Sequence, residues 1–245
     1  MTNATNSQFD SLATLYEDMA TWPFRRDIEI PSVLEAIGEV AGQDVLDFGC
    51  GDGTYSRMLK QRGARTVVGF DESEGMLQHA RNRESKDRLG ISFVSKLDPK
   101  LDRQFDLVLG VYVLPYASNR QALEQMCSSM KRLIRPGGRL VTLPVHPEYV
   151  ADPAYYRPYG FSLTQNPPHE DGGAIELELF HSGYNGTVTA WYWSAASLNA
   201  ALQTAGFEQI AHLNPLPKAL VPIERAPELL RAYLSKPHAV ILRCQ

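Results

Sequence analysis

The sequence predicts an α/β fold: a doubly wound, mainly parallel seven-stranded sheet with an N-terminal helical lid and an aromatic-rich antiparallel insertion after the fifth strand. Three observations carry this. Short apolar runs alternate with helix-spaced segments as far as residue 145, which demands crossover connections and hence parallel strands. A glycine-rich turn, Val45–Gly53, closes the first of those runs. From Val145 to Trp193 the alternation stops, and these 49 residues hold 10 of the 23 Phe, Trp and Tyr residues in a chain of 245.

The elements follow in order. Residues from about Phe9 to Ala41 have helical spacing, with breaks expected at Pro23 and Pro31. A strand at Asp44–Phe48 leads through the glycines into a helix at Thr54–Arg62. A second strand, Thr66–Phe70, ends on Asp71, and Ser73 is placed to cap a helix at Glu74–Arg83. Ile91–Ser95 and Phe105–Val111 read as further buried strands. Ser118 or Asn119 caps a helix through Leu133, which Arg135-Pro136-Gly137-Gly138 ends before a strand at Arg139–Leu143. Ala174–Phe180 and Gly186–Trp193 have the pattern of antiparallel strands. A helix at Ser197–Ala205, a strand near Phe207–Leu213, a helix at Ala226–Leu234 and a strand at His238–Cys244 complete the chain.

Composition narrows the function. A formal charge of −4 supplies no broad basic surface, so nucleic acid is not expected as a partner. No apolar run approaches the roughly 18–20 residues needed to span a bilayer, and the opening residues lack a signal-peptide pattern. Cys50, Cys127 and Cys244 are widely spaced without a CxxC pair, as expected of buried thiols in a cytoplasmic protein with no metal site.

The glycine spacing decides between two cofactor classes. A dinucleotide turn reads GxGxxG; here the third position is Thr54 in one register and Ser56 in the other, so both fail. The pattern present is Asp47-x-Gly49-x-Gly51-x-Gly53. Together with VVGFDESEGML, FDLVLGVYVLPY and LIRPGGRLV, it resembles the Rossmann-like class I S-adenosylmethionine-dependent methyltransferases across residues 9–145. The methyl donor has a zwitterionic amino-acid end and a cationic sulfur but no phosphate, and glycines admit it close to the backbone. Asp47 is placed to meet its ammonium group and Asp71 the ribose hydroxyls, with Glu72 beside it as a further expected cofactor contact. The resemblance implies that Met76 lies against the adenine and Val111 near the methionine portion. Many relatives carry an acid directly after the third strand for the adenine amine; Asp98 stands one or two positions beyond it.

For the acceptor, the (D/N)PPY loop of base-methylating enzymes is missing after the fourth strand, where the chain reads Val111-Tyr112-Val113-Leu114-Pro115-Tyr116. The N-terminal Phe9…Tyr16 and Pro23-Phe24-Arg25-Arg26…Glu29, with the later Trp191-Tyr192-Trp193-Ser194, are similar to bacterial small-molecule methyltransferases of the toxoflavin-biosynthesis kind. That resemblance implies Tyr16 and Arg25, with Arg26 as the alternative, on the cofactor carboxylate. Relatives often have Tyr where this chain has Phe9.

Methyl transfer is an in-line displacement in which alignment in a dry pocket dominates. Aromatic walls exclude water and face a cation. Phe9, Trp22, Tyr116, Tyr149, Trp191 and Trp193 are the expected acceptor contacts, with Tyr155, Tyr156, Tyr159 and Phe161 as further walls. His146 and Tyr112 follow the fifth and fourth strands, at the edge where ligands bind in this architecture, and are the expected catalytic groups.

The chain is thus expected to be one domain, 1–245. It comprises a lid (1–41), a cofactor-binding core (42–145), an acceptor-binding insertion (146–193) and the rest of the core (194–245). The expected reaction takes a methyl group from S-adenosyl-L-methionine, leaving S-adenosyl-L-homocysteine, to a nitrogen or oxygen of a small planar secondary metabolite. Carbon methylation, or a non-catalytic cofactor-binding module of the same fold, are the alternatives.

Overall fold

A computed structural model describes residues 13–181 and 184–245. The order of strands in its main sheet is β3-β2-β1-β4-β5-β10-β9. Five strands run parallel: β1 (Asp44–Phe48), β2 (Thr66–Phe70), β3 (Ser92–Val94), β4 (Phe105–Val111) and β5 (Ile134–Leu143). β10 (Ile241–Cys244) is antiparallel to both β5 and β9 (Ile210–Leu213). The seven-stranded, mainly parallel sheet is therefore as expected, with one reversed strand.

The reversal has a consequence for the site. Because β10 runs backwards, the residues that precede it, among them His238, lie at the same sheet edge as the carboxyl ends of β1, β4 and β5; His146 N–H donates to the His238 carbonyl at 2.7 Å.

Helices cover both faces. On one face α5 (Arg120–Leu133) and α6 (Ala195–Thr204) bury Leu123, Cys127, Met130, Leu198 and Leu202 against Leu46, Val108 and Leu140. On the other, α2 (Ile30–Ile37) and α3 (Thr54–Gln61) bury Val33, Ile37, Tyr55 and Leu59 against Val45, Leu107 and Val141. Alternate residues of each strand thus serve opposite layers, as a pleated sheet requires. All three cysteines are buried and free.

Local chemistry explains the helix ends. Ser73 accepts from Met76 N–H at the start of α4 (Glu74–Asp87), and Asn119, not Ser118, accepts from Ala122 N–H at the start of α5. Two local expectations are corrected. Pro31 does not break the lid: the chain passes from a π-helical segment, Arg25–Glu29, straight into α2, with Pro31 in its first turn. Proline needs no N–H partner there, and the wider π turn leaves room for its ring. Arg135–Gly138 does not separate α5 from β5 either. Ile134 already pairs with Phe105, and the register shifts before Arg139 pairs with Leu107, so these residues form a bulge inside the strand.

The insertion forms a second, three-stranded antiparallel sheet: β6 (Phe161–Thr164), β7 (Ala174–His181) and β8 (Tyr184–Trp191). β6 had no expectation from sequence, being only four residues long. With α1 (Ala13–Met19), the segment at Trp22–Ile28 and α7 (Glu228–Ser235), this sheet buries a third core of Trp22, Phe24, Tyr149, Tyr156, Phe161, Leu179 and Tyr233.

Trp193 belongs to the main core. Its side chain is buried, and its indole N–H donates to the Ala117 carbonyl at 3.2 Å. Trp193→Ala is expected to lower the unfolding free energy by about 3–5 kcal/mol, measured by urea titration. A loss near zero would show that the indole does not hold α6 to the sheet.

Candidate active site

The glycine turn is built by the end of β1. Gly49, Gly51 and Gly53 all have positive φ, at 73°, 53° and 82°, and Gly49 and Cys50 donate to the Phe70 carbonyl. The three differ in what surrounds them. A Cβ on Gly49 would meet Val113 Cγ2 at 2.7 Å, and one on Gly53 would meet Phe93 Cζ at 2.9 Å. On Gly51 its nearest neighbour would be Met76 Sδ at 4.0 Å. Gly49 and Gly53 are required by protein packing, whereas Gly51 borders open space beside Met76.

Carboxylates ring this turn. Asp47 is 2% exposed and accepts from Ser56 Oγ at 2.6 Å. Burial pushes it up to about 7, with Asp52 and Asp71 adding to the rise against the Ser56 hydrogen bond. Asp71 accepts from Gly51 N–H at 2.7 Å and Ser73 N–H at 2.9 Å. It too is raised by burial, against those two bonds. Buried acids that repel one another favour a cationic ligand and reject a pyrophosphate. The sulfonium and ammonium of S-adenosylmethionine fit this turn. Glu72 is exposed beside Asp71, and Val111 is half-buried at the end of β4. Asp98 is exposed and caps the turn Pro99–Leu101 by accepting from Lys100 N–H, so the structure does not bring it into the cradle.

A cavity of about 50 Å³ lies between the N-terminal helical segment, the end of β4 and the β6–β8 sheet. Its apolar walls include Met19, Phe24, Pro115, Phe161, Leu163, Leu177 and Leu179, and its polar groups are Tyr16, Arg25, Glu29, Tyr112, Tyr116 and His238. Tyr16 and Tyr116 share a hydrogen bond, and Tyr16 senses both Arg25 and Asp71. Arg25 is 7% exposed and its Nε lies 2.9 Å from Glu29 Oε1. The two are not aligned for a hydrogen bond, which leaves Nε without a partner. Burial opposes the Arg25 charge, but Glu29, Tyr55 and Tyr112 more than offset it, so the guanidinium is held charged. Arg26, by contrast, is exposed and pairs with Asp27.

Tyr112 has a left-handed backbone, φ 53°, at the turn after β4. Its hydroxyl donates to Glu29 Oε2 and lies 3.0 Å from His238 Nε2. His238 Nδ1 lies 2.8 Å from the Tyr233 hydroxyl. Burial pushes His238 down to about 3, with Arg25 and His146 adding to the fall, so its ring is neutral.

Several expected site residues are placed elsewhere. His146 is half-buried at the sheet edge but does not line the cavity: Nδ1 accepts from Glu148 N–H, and Nε2 faces Asn214. The turn after β5 carries it away, and His238 occupies the cavity wall. Trp22 is buried in the lid core with its indole N–H toward Asp18. Tyr149 is buried against His169 and donates to Gln165, while Trp191 and Trp193 pack on the main core. Tyr155, Tyr156 and Tyr159 reach the carbonyls of Ala232, Lys236 and Leu229, stapling the insertion to α7 and its end. Of the expected further walls only Phe161 faces the cavity. Phe9 lies outside the described residues. Glu29 and His238 had no role assigned from sequence. Glu29 could be suspected as an acid in an apolar helical stretch; nothing local distinguished His238. Among the described residues no cluster of His, Cys, Asp and Glu could hold a metal ion.

The chain is similar to known methyltransferases. Residues 45–138 match the model of a methyltransferase domain family. An N-demethylindolmycin N-methyltransferase from Streptomyces griseus is 25% identical over 71% of this chain and 73% of its own. A demethylmenaquinone methyltransferase from Tropheryma whipplei is 38% identical, but the match spans half of each chain. Among solved structures, the CcbJ methyltransferase of Streptomyces caelestis superposes with a TM-score of 0.69 over 98% of both chains at 17% identity. A DhpI–SAM–HEP complex superposes with a TM-score of 0.62 over the whole of both chains at 20% identity. The fold and the acid-ringed glycine turn define the class I methyltransferase architecture. With the methyltransferase domain matched at residues 45–138 and relatives named as methyltransferases, the comparisons support an S-adenosylmethionine-dependent methyltransferase.

The Asp47 environment has a measurable sign. Its folded-state value lies above the ordinary 3.8, so its contribution to stability is complete below about 4 and is lost as pH rises through about 7. Asp47→Asn removes this loss. The ligand-free variant is expected to gain on the order of 2–4 kcal/mol relative to wild type between pH 5 and pH 8, read from urea titrations at the two pH values. A parallel shift at both would place Asp47 in a solvated setting.

Proposed function

We propose that the protein transfers a methyl group from S-adenosylmethionine to a nitrogen or oxygen of a small, planar metabolite, the methyl acceptor. The observation that carries this reading is a cavity that is apolar on most sides and polar at one end, where Arg25 and Tyr16 feel the charges of Asp52 and Asp71 at the glycine turn. Small-molecule substrates in the names of relatives, N-demethylindolmycin and demethylmenaquinone, support it.

In this reading Asp71 holds the ribose and Met76 flanks the adenine. Asp47 receives the ammonium group through the Ser56 side of the turn. Arg25, whose buried Nε lacks an aligned partner, binds the cofactor carboxylate together with Tyr16. The bound cofactor supplies an electrophilic methyl group; the protein supplies alignment and a dry wall. Phe24, Phe161, Leu163 and Leu179 exclude water, and Tyr112 faces the acceptor. Ordinary ligand sites enclose roughly 300–1,000 Å³, against about 50 Å³ here. Acceptor entry therefore requires the lid and the β6–β8 sheet to separate. No helix among the described residues is long and apolar enough to cross a membrane.

Two measurements test the reading. Calorimetry should show S-adenosylhomocysteine binding and no comparable NAD binding, with Asp71→Ala weakening the former by roughly 1.5–3 kcal/mol. Tighter binding of NAD would overturn the cofactor assignment. Methyl-labelled S-adenosylmethionine with a small-molecule extract of the producing cells should yield labelled N- or O-methyl products by mass spectrometry. Label on carbon only would refute the choice of atom, and cofactor binding without any labelled product would identify a binding module.

A further inference from the structure

The polar end of the cavity has a direction. Glu29 is 1% exposed, and its carboxylate can only accept hydrogen bonds. Its charged and titratable neighbours are Arg25 on the same segment, Tyr55 from α3 and Tyr112 after β4. The Tyr112 hydroxyl must therefore spend its hydrogen on Glu29. That leaves only lone pairs for His238 Nε2 at 3.0 Å, so Nε2 carries the imidazole hydrogen and Nδ1 is bare. Tyr233 must then donate its own hydroxyl hydrogen to Nδ1 at 2.8 Å. One buried acid thus fixes the polarity of a row of groups drawn from the lid, β4, the entry to β10 and α7. The second lone pair of Tyr112 is left for whatever occupies the cavity.

We infer that Glu29 and His238 are specificity-determining residues that orient the Tyr112 hydroxyl as a hydrogen-bond acceptor, selecting neutral apolar acceptors that present an O–H or N–H. This rests on the proposed methyl transfer and narrows its acceptor class. A molecule offering only a carbonyl, ether or carboxylate meets lone pairs at Tyr112 and is rejected, because an unpaired polar contact in an enclosed site is costly. Catalytic roles are not required of either residue. Each acts through Tyr112, as a positioning group.

The test uses the full chain with S-adenosylhomocysteine bound, and its first readout is independent of turnover. Nitrogen-15 NMR of the imidazoles should show His238 neutral and protonated on Nε2 between about pH 5 and 8. A hydrogen on Nδ1, or an exchanging mixture of tautomers, overturns the inference. The second readout compares 4-methylphenol, which keeps its hydrogen throughout this range, with 4-methylanisole, which has the same ring but no hydrogen to donate. Wild type should bind the phenol about tenfold more tightly. Tyr112→Phe should abolish the preference, and Glu29→Gln, whose amide lets the hydroxyl turn, should reduce it. Equal binding in wild type, undiminished preference in Tyr112→Phe, or binding of neither probe refutes the proposal. Near-UV circular dichroism establishes that each variant is folded, and Tyr112→Phe decides the question if Glu29→Gln is not. Failure of the underlying reading is separate: the wild-type protein would then not bind S-adenosylhomocysteine at all.

Discussion

Two opposite charges, Arg25 and Glu29, are buried one helical turn apart in the segment that joins the lid to the sheet. Withdrawing both from water costs several kcal/mol per ion, and attraction offsets this only when the remaining hydrogen bonds are made. Glu29 makes its bonds with Tyr55 from α3 and Tyr112 from the end of β4, and so ties the π-helical segment to two parts of the core. Arg25 is left short of one partner. The pair therefore does two things: it seats the lid over the sheet edge, and it keeps a fixed positive group with spare hydrogen-bonding capacity beside the glycine turn.

The two halves of the site have different electrostatics. Around the turn, Asp47, Asp52 and Asp71 gather negative charge in a region from which water is largely excluded, and this favours a cation. Across the cavity, aliphatic and aromatic side chains leave Tyr112 and His238 as the polar groups nearest the β4 edge. A sulfonium reaction suits the junction. Positive charge is dispersed as the methyl group leaves sulfur, and an acceptor held in an apolar pocket can approach along one line.

The insertion illustrates how an aromatic-rich segment can serve structure more than contact. Its tyrosines carry a large apolar face and a hydroxyl that must find a partner when buried. Tyr155, Tyr156 and Tyr159 find carbonyls on α7 and at its end, Tyr192 finds the Pro147 carbonyl, and Trp193 finds that of Ala117. These bonds lock the three-stranded sheet onto the main domain. The face turned to the cavity is instead made by Phe161, Leu163, Leu177 and Leu179, alternate residues of two paired strands.

The sequence by itself determined the parallel sheet, most of its strands, and the glycine turn with its acids. Each of these depends on near neighbours: periodicity, caps, and the spacing of Asp47, Gly49, Gly51, Gly53 and Asp71 at the ends of two adjacent strands. Expectations failed where distant segments had to be assembled. Proline and glycine at Pro31 and Pro136–Gly138 signalled breaks, but a π turn and a bulge absorbed them. His146 and His238 carry the same chemistry and stand at the same sheet edge. Only the reversed direction of β10, set by pairing with β5, turns His238 into the cavity and leaves His146 outside it. Tertiary structure alone decided which aromatics were walls and which were staples: the partners of Tyr155 and Tyr159, for example, lie 77 and 70 residues away, where no local pattern records them.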